Sequence, residues 1–310
     1  MGSAKDMLRL MRPKQWAKGV FVLVGPLYGL AEASASWRDI LPPTLVAMVI
    51  FALASSACYI VNDVVDAPGD RLHPRKRGRP IASGAVSPPQ GLALAGVLLL
   101  AAGAMLAWIA PGPRWWLGII AFIYAANTML YSIHLKKHVI TDVMSLSLGF
   151  VLRVLGGCAA AAVAPSTWLL NCTLFIAMFL AFGKRLGERR TLGEDAAAAR
   201  SVQAVYTDEL LRMAVVVTAV ATLVTYAGYV QFREATHRML LPGLDVLVNP
   251  LWLTMIPATY ALLRSIVLLE QGKYDDPTEM ATRDFPMQAA AGLFALITLG
   301  VLWMHLGAPR

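Results

Sequence analysis

Asn62, Asp63, Asp66 and Asp70 form an Asn-Asp-x-x-Asp-x-x-x-Asp array, followed at once by Arg71, Arg75, Lys76, Arg77 and Arg79. Closely placed carboxylates repel unless a cation joins them, and hard oxygen donors suit magnesium, which keeps several waters and bridges to phosphates. The basic residues that follow offer forked and point-charge partners for phosphate oxygens. Together they describe a magnesium-diphosphate site, with Asn62, Asp63, Asp66 and Asp70 as the metal-ligand candidates. The basic run alone is ordinary, because loops beside membrane spans collect lysine and arginine. The acid array is not, since three acids and an amide have little topological use. Asn62 and Asp66 lie one turn apart and Asp63 and Asp66 three residues apart, so a continuing helix stacks their oxygens on adjoining faces. Pro68-Gly69 is expected to break that helix and let Asp70 fold back.

The elements that must carry this array belong in a bilayer. Of 310 residues, 57% are hydrophobic and 15% charged, and the mean hydropathy is +0.60. That excludes a water-soluble monomer and a disordered chain. The expected fold is all-α, a polytopic bundle of nine transmembrane helices near 16–33, 43–62, 91–110, 115–131, 140–163, 167–183, 212–232, 250–270 and 287–306. Lys18 and Pro26 interrupt the first, which a tilted or partly interfacial helix anchored by Trp16 fits equally well. No cleavage-site pattern follows the basic segment Met1–Gln15, so this span is expected to be retained.

Lysines and arginines fall unevenly: 19 lie in the N-terminal segment and alternate loops, and 5 in the remaining loops and C-terminus. The net charge of +8 is therefore read as loop bias rather than nucleic-acid binding, and it puts the N-terminus inside and the C-terminus outside. Connections at 111–114 and 164–166 are minimal, whereas those at 63–90 and 184–211 are long and polar, so chemistry is expected at the cytoplasmic face. These long loops follow the second and sixth spans. Within a single domain of residues 1–310, that spacing suggests two four-helix halves, about 16–131 and 140–270, plus a ninth helix at 287–306.

Other polar residues carry weaker signals. Lys14 and Lys18 at the first span can hold a phosphate or merely snorkel to the interface. Tyr131 and Lys136 end the fourth span, as an interfacial belt often does. Lys184, Arg185 and Glu188 sit within one turn, where a plain Glu-Arg helix pair is the simpler account. Asp142 and Arg153 fall inside the fifth span, roughly 16 Å apart along a helix, so each needs a partner elsewhere. The polar segment Tyr274–Glu279 with Arg283 and Asp284 can close over a site or be an ordinary loop. Cys58, Cys158 and Cys172 lack metal or disulfide spacing and read as packed thiols. The five histidines show no metal-binding pattern either.

Read together, these motifs resemble those of the UbiA superfamily of intramembrane prenyltransferases. The resemblance rests on the acid array, Asp70–Arg77, Arg79–Gly84, Arg12-Pro13-Lys14-Gln15-Trp16 with Lys18, Tyr131–Lys136, Asp142, Gly149–Arg153 and Gly183–Glu188. Within the family the chain is most similar to the decaprenyl-phosphate phosphoribosyltransferase branch. One departure bears on substrate. Aromatic prenyltransferases of this family carry a second acid cluster after the sixth span, where this chain has Lys184, Arg185 and Glu188. Exchanging acids for cations lowers the capacity for a second metal and adds direct phosphate neutralisation.

The resemblance implies a UbiA-type bundle and a magnesium-dependent enzyme. It implies transfer of 5-phosphoribosyl from phosphoribosyl pyrophosphate to a polyprenyl phosphate for a cell-envelope arabinose donor. It further implies that Asp63, Asp66, Asp70, Lys184 and Arg185 act in catalysis. Lys14, Lys18, Asn62, Arg71, Arg77, Tyr131, Lys136, Asp142, Arg153 and Glu188 would bind substrate. The expected partners are these two phosphorylated substrates and membrane lipid, with no nucleic acid; the oligomeric state, a homo-oligomer included, is left open. Two other functions compete: transfer of a prenyl group from its diphosphate to an aromatic acceptor, and ion-coupled transport. Acids gathered at one boundary rather than mid-bilayer speak against the transporter, and Lys184-Arg185 against the aromatic acceptor.

Overall fold

A computed structural model describes residues 3–29, 36–72, 76–192, 205–232, 239–241, 246–273, 280 and 282–307. The polar segment Tyr274–Glu279, His73, Arg75 and His237 lie outside the described residues. Among the described residues, eight helices are long and apolar enough to cross a bilayer. The first expected span is instead a 3-10 segment, Pro13–Gly19, leading into a ten-residue helix. Ten residues span only about 15 Å, half a hydrocarbon core.

In chain order the helices are α1 (Ala4–Leu10), α2 (Val20–Gly29), α3 (Trp37–Leu72), α4 (Pro88–Met105) and α5 (Pro111–Ile133). They continue with α6 (Thr141–Ala160), α7 (Thr167–Leu192), α8 (Asp208–Phe232), α9 (Met255–Glu270) and α10 (Phe285–Gly307). A small antiparallel ribbon, β1 (Met239–Leu241) with β2 (Val246–Val248), joins α8 to α9. Local sequence explains several boundaries. Ser87 and Gln90 form a reciprocal capping box across Pro88, the first residue of α4. Pro111 opens α5 at a position whose N–H needs no partner.

The chain clusters into two compact units. The first comprises residues 1–29, 33–136 and 151–165, and the second residues 30–32, 137–150 and 166–310. Helix α6 supplies its opening turns to the second and its closing turns to the first. In the first unit, Val22, Ile50, Phe51, Leu117 and Leu152 form one core cluster. A separate cluster including Leu10, Ile60, Ala67, Ile81 and Val86 lies beneath the acid array. In the second unit α7 and α8 pack along their length, and Phe179, Phe182, Leu186, Tyr206 and Leu268 fill the core. Large apolar side chains such as Leu100, Phe122, Leu296 and Trp303 point outward, as suits helices solvated by lipid.

Helix α3 is the main departure from expectation. Pro68-Gly69 does not break it: the helix runs on to Leu72 and carries all three acids. Pro68 lacks an N–H and costs one helical hydrogen bond. It lies only one turn from the end, where external bonds hold that turn. Arg71 Nε donates to the Ala82 carbonyl at 3.3 Å, and Asp70 accepts from Arg79. Asp70 therefore reaches the side of Asp63 by helical repeat, seven residues being nearly two turns, and not by a fold-back.

Near the chain start, α2 lies against the closing turns of α6 with no room for side chains between them. A Cβ on Gly157 would meet the Val22 carbonyl oxygen at 1.9 Å, and one on Gly25 would meet Cys158 Sγ at 2.2 Å. Gly157→Ala is therefore expected to cost about 1–3 kcal/mol through overpacking against a backbone atom. The measurement is the thermal midpoint of the detergent-solubilised protein, and an unchanged midpoint would contradict this contact.

Candidate active site

The acid array is built by one helix and completed by segments from three other places in the first unit. Asp63 and Asp70 are 3% and 4% exposed, and a carboxylate so enclosed needs cationic partners. Arg12 Nη2 donates to Asp63 Oδ1 at 2.5 Å. Arg79 Nη1 donates to Asp63 Oδ1 at 3.2 Å and to Asp70 Oδ2 at 2.6 Å, bridging the two acids. Lys76 approaches the other Asp70 oxygen at 4.0 Å. Asp66, more open, accepts from Lys136 Nζ at 3.0 and 3.2 Å and from Asn62 Nδ2 at 3.0 Å.

Each partner is held by local structure. Arg12 has a left-handed backbone, φ 53°, just before Pro13, where the right-handed helical conformation is disfavoured. Its guanidinium stacks 5.0 Å from the Tyr59 ring centroid while reaching Asp63. The segment is pinned to α3 by Trp16 Nε1, which donates to Ser56 Oγ, and by Ser56, which donates to the Met11 carbonyl. Arg79 sits on a turn whose apolar residues Ile81 and Val86 are buried in the cluster beneath it. Lys136 belongs to the 3-10 turn after α5.

Among the described residues, no three His, Cys, Asp or Glu side chains already surround a metal-sized space. The donor chemistry nevertheless fits a divalent ion. Oxygens of Asp63 and Asp70 converge on a single nitrogen of Arg79, the geometry of two anions sharing one cation. Asn62 and Asp66 add hard oxygens from the same helix.

In the second unit, the other predicted residues form a buried ionic network. Asp142, fully buried, accepts from Arg185 Nε at 3.1 Å and from the Tyr206 hydroxyl at 2.7 Å. Arg185 is 2% exposed and also donates from Nη1 to Glu188 Oε2 at 3.1 Å. Tyr206 in turn accepts the Ile140 N–H at 2.8 Å, and Ile140 has φ 68°, a strained conformation for a β-branched residue. Burial first, and then the bond to Asp142, pushes the Tyr206 hydroxyl above its ordinary range, so it remains a donor. Lys184 is only partly buried.

Remaining candidates are spread across the first unit. Arg153 donates to the Tyr124 hydroxyl at 2.5 Å and lies 4.5 Å from that ring's centroid. Asp142 and Arg153 thus each have a separate partner, as their spacing requires. Lys14 and Arg77 are exposed, Lys18 and Tyr131 half-buried, and Arg71 is committed to the Ala82 carbonyl. Three residues important to this arrangement were not singled out from sequence, Arg12, Tyr124 and Tyr206, and Arg79 was read as a phosphate partner rather than as the partner of Asp63 and Asp70. Arg12 and Arg79 sit inside the quoted motifs, which was the available signal. The two tyrosines carried none, because only folding reveals which buried ion each one serves.

Tyr206→Phe strips a donor from buried Asp142 and an acceptor from the Ile140 N–H. The expected cost is about 1–3 kcal/mol of stability, visible as a lower thermal midpoint in detergent. A midpoint equal to wild type would show that the hydroxyl is not engaged.

Comparison with known proteins places the chain in a family. The chain is 33% identical over 286 residues to the decaprenyl-phosphate phosphoribosyltransferase of Mycolicibacterium smegmatis, covering 91% of this chain and 87% of the relative. It is also 33% identical over 300 residues to the protein of that name from Corynebacterium glutamicum, covering 95% and 86%. A UbiA homolog from Archaeoglobus fulgidus, solved with DMAPP and Mg2+, shares the fold with a TM-score of 0.67 at 14% identity, over 96% of this chain and 99% of that one. The model of the UbiA prenyltransferase family matches residues 20–288, and with eight membrane-length helices this multi-pass membrane protein belongs to that family.

Proposed function

We propose that the enzyme transfers a 5-phosphoribosyl group from phosphoribosyl pyrophosphate to a polyprenyl phosphate of the decaprenyl type, releasing pyrophosphate. The observation that carries this reading is the near full-length likeness to relatives named for that reaction. The chemistry of the chain agrees. It has a carboxylate array on α3, and Lys184 and Arg185 stand where aromatic-acceptor enzymes would need further acids.

In this reaction the bond from the ribosyl C1 to a pyrophosphate oxygen breaks, and an oxygen of the lipid phosphate bonds to C1. The acceptor is already an anion, so no strong general base is needed. Asn62, Asp63, Asp66 and Asp70 would hold magnesium, which when bound neutralises charge on the departing pyrophosphate. Arg71 and Arg77 are proposed as nearby phosphate contacts, with Lys136 and Tyr131 completing the donor pocket. Lys14 and Lys18 would receive a phosphate presented from the lipid side. Lys184 is proposed to neutralise substrate phosphate. Arg185, almost wholly buried between Asp142 and Glu188, would act mainly by holding the end of α7 in place, and Arg153 by its contact with Tyr124.

The loop-charge bias favours a cytoplasmic active site and N-terminus with the C-terminus outside. A role in making a cell-envelope arabinose donor belongs to the same proposal. The deciding assay supplies purified protein with magnesium, labelled phosphoribosyl pyrophosphate and a polyprenyl phosphate; a labelled lipid product is expected. No such product, together with product from a prenyl diphosphate and an aromatic acceptor, would assign the enzyme to the aromatic branch. Asp66→Asn should lower turnover about 100-fold or more with folding retained. Its side chain is 31% exposed and its pairing with Lys136 adds little stability. Full turnover in that variant would remove its metal role. Lys184→Ala should raise the apparent KM for a phosphorylated substrate about tenfold or more with the thermal midpoint little changed; unchanged KM values would free Lys184 from the site.

A further inference from the structure

The acids assigned to magnesium each have a protein cation as partner: Asp63 has Arg12 and Arg79, Asp66 has Lys136, and Asp70 has Arg79 with Lys76 at 4.0 Å. Arg79 differs from the others in joining two carboxylates through one nitrogen, at 3.2 and 2.6 Å. A divalent ion on those same oxygens would sit against the guanidinium, and like charges at that separation repel strongly in an enclosed site. Metal and Arg79 therefore compete for the two oxygens they would share, Asp63 Oδ1 and Asp70 Oδ2.

The turn that carries Arg79 is fixed in its backbone. The Arg79 N–H donates to the Lys76 carbonyl at 2.9 Å, its own carbonyl accepts from the Ser83 N–H at 2.9 Å, and the Val86 N–H donates to the Pro80 carbonyl at 3.0 Å. Ile81 and Val86 are buried beneath it. The Arg79 side chain, 28% exposed, is the part with room to move. Displaced from the acids, a guanidinium on a fixed anchor remains beside the metal position, where the nearest new anion is the diphosphate of the donor. Its planar fork suits phosphate oxygens as well as carboxylates.

Building on the metal-diphosphate reading of the array, we propose that Arg79 is a resident counter-cation exchanged during loading. The incoming metal displaces it from Asp63 and Asp70, and it re-pairs with the diphosphate. Metal and donor then load cooperatively, and metal alone binds weakly because it must evict a paired arginine with no anion to receive it. Arg79 is thus a positioning residue that couples two ligands.

The test measures Mn2+ binding to full-length protein in detergent by electron paramagnetic resonance, with and without inorganic pyrophosphate at matched free Mn2+. Wild type is expected to bind Mn2+ weakly alone and at least tenfold more tightly with pyrophosphate. Arg79→Gln should bind Mn2+ alone about tenfold more tightly than wild type, and the enhancement by pyrophosphate should fall below about threefold. An Mn2+ affinity unchanged from wild type, or an undiminished pyrophosphate effect, would overturn the exchange while leaving the metal site intact. No Mn2+ binding by wild type even with pyrophosphate would remove the metal reading and this inference together. If Arg79→Gln does not fold, Arg79→Lys serves. Its single ammonium bridges two acids less well, so it should bind Mn2+ alone severalfold more tightly than wild type; wild-type values there would overturn the proposal.

Discussion

A carboxylate withdrawn from water at a membrane boundary must be paired with a cation, and much of the described structure answers to that constraint. Asp63, Asp70 and Asp142 are all nearly inaccessible, and each meets at least one arginine. Leaving any of them single would incur a desolvation penalty that apolar packing nearby could not offset. The partners lie from 9 to 51 positions away, so pairing these acids also fixes where the N-terminal segment, the turn after α3 and the end of α7 must lie.

The two polar networks meet the constraint differently. In the first unit the acids occupy one face of a long helix, and the cations approach from turns with partly exposed side chains. Those side chains keep contact with their surroundings. In the second unit Asp142 and Arg185 are both nearly sealed, with Tyr206 and Glu188 satisfying much of what they offer each other. That arrangement is rigid and fits a supporting role.

Much of the fold was legible because bilayer solvation writes itself into composition. Eight of the nine expected spans have counterparts among the described helices, most within a few residues of where the apolar runs lie. The first was overestimated, since an apolar run near Lys18 and Pro26 has spanning composition without spanning length in one helix. The Pro68-Gly69 expectation failed for another reason. Breaking residues weaken a helix locally, but Asp70 and Arg71 gain partners only if the last turn persists.

For the site, the acid array, its basic neighbours and the lysine-arginine pair at the end of α7 were visible as residue types at telling intervals. Which residue pairs with which was not. Nothing local to Arg12 indicates Asp63, 51 positions on, and nothing near Tyr206 indicates Asp142, 64 positions earlier. Sequence by itself determined the solvent, the helical class and the chemical character of the donors, because those follow from composition and short-range periodicity. Only tertiary structure decided which cation neutralises which acid, because that depends on distance in space, and a folded chain brings together charges that no local pattern connects.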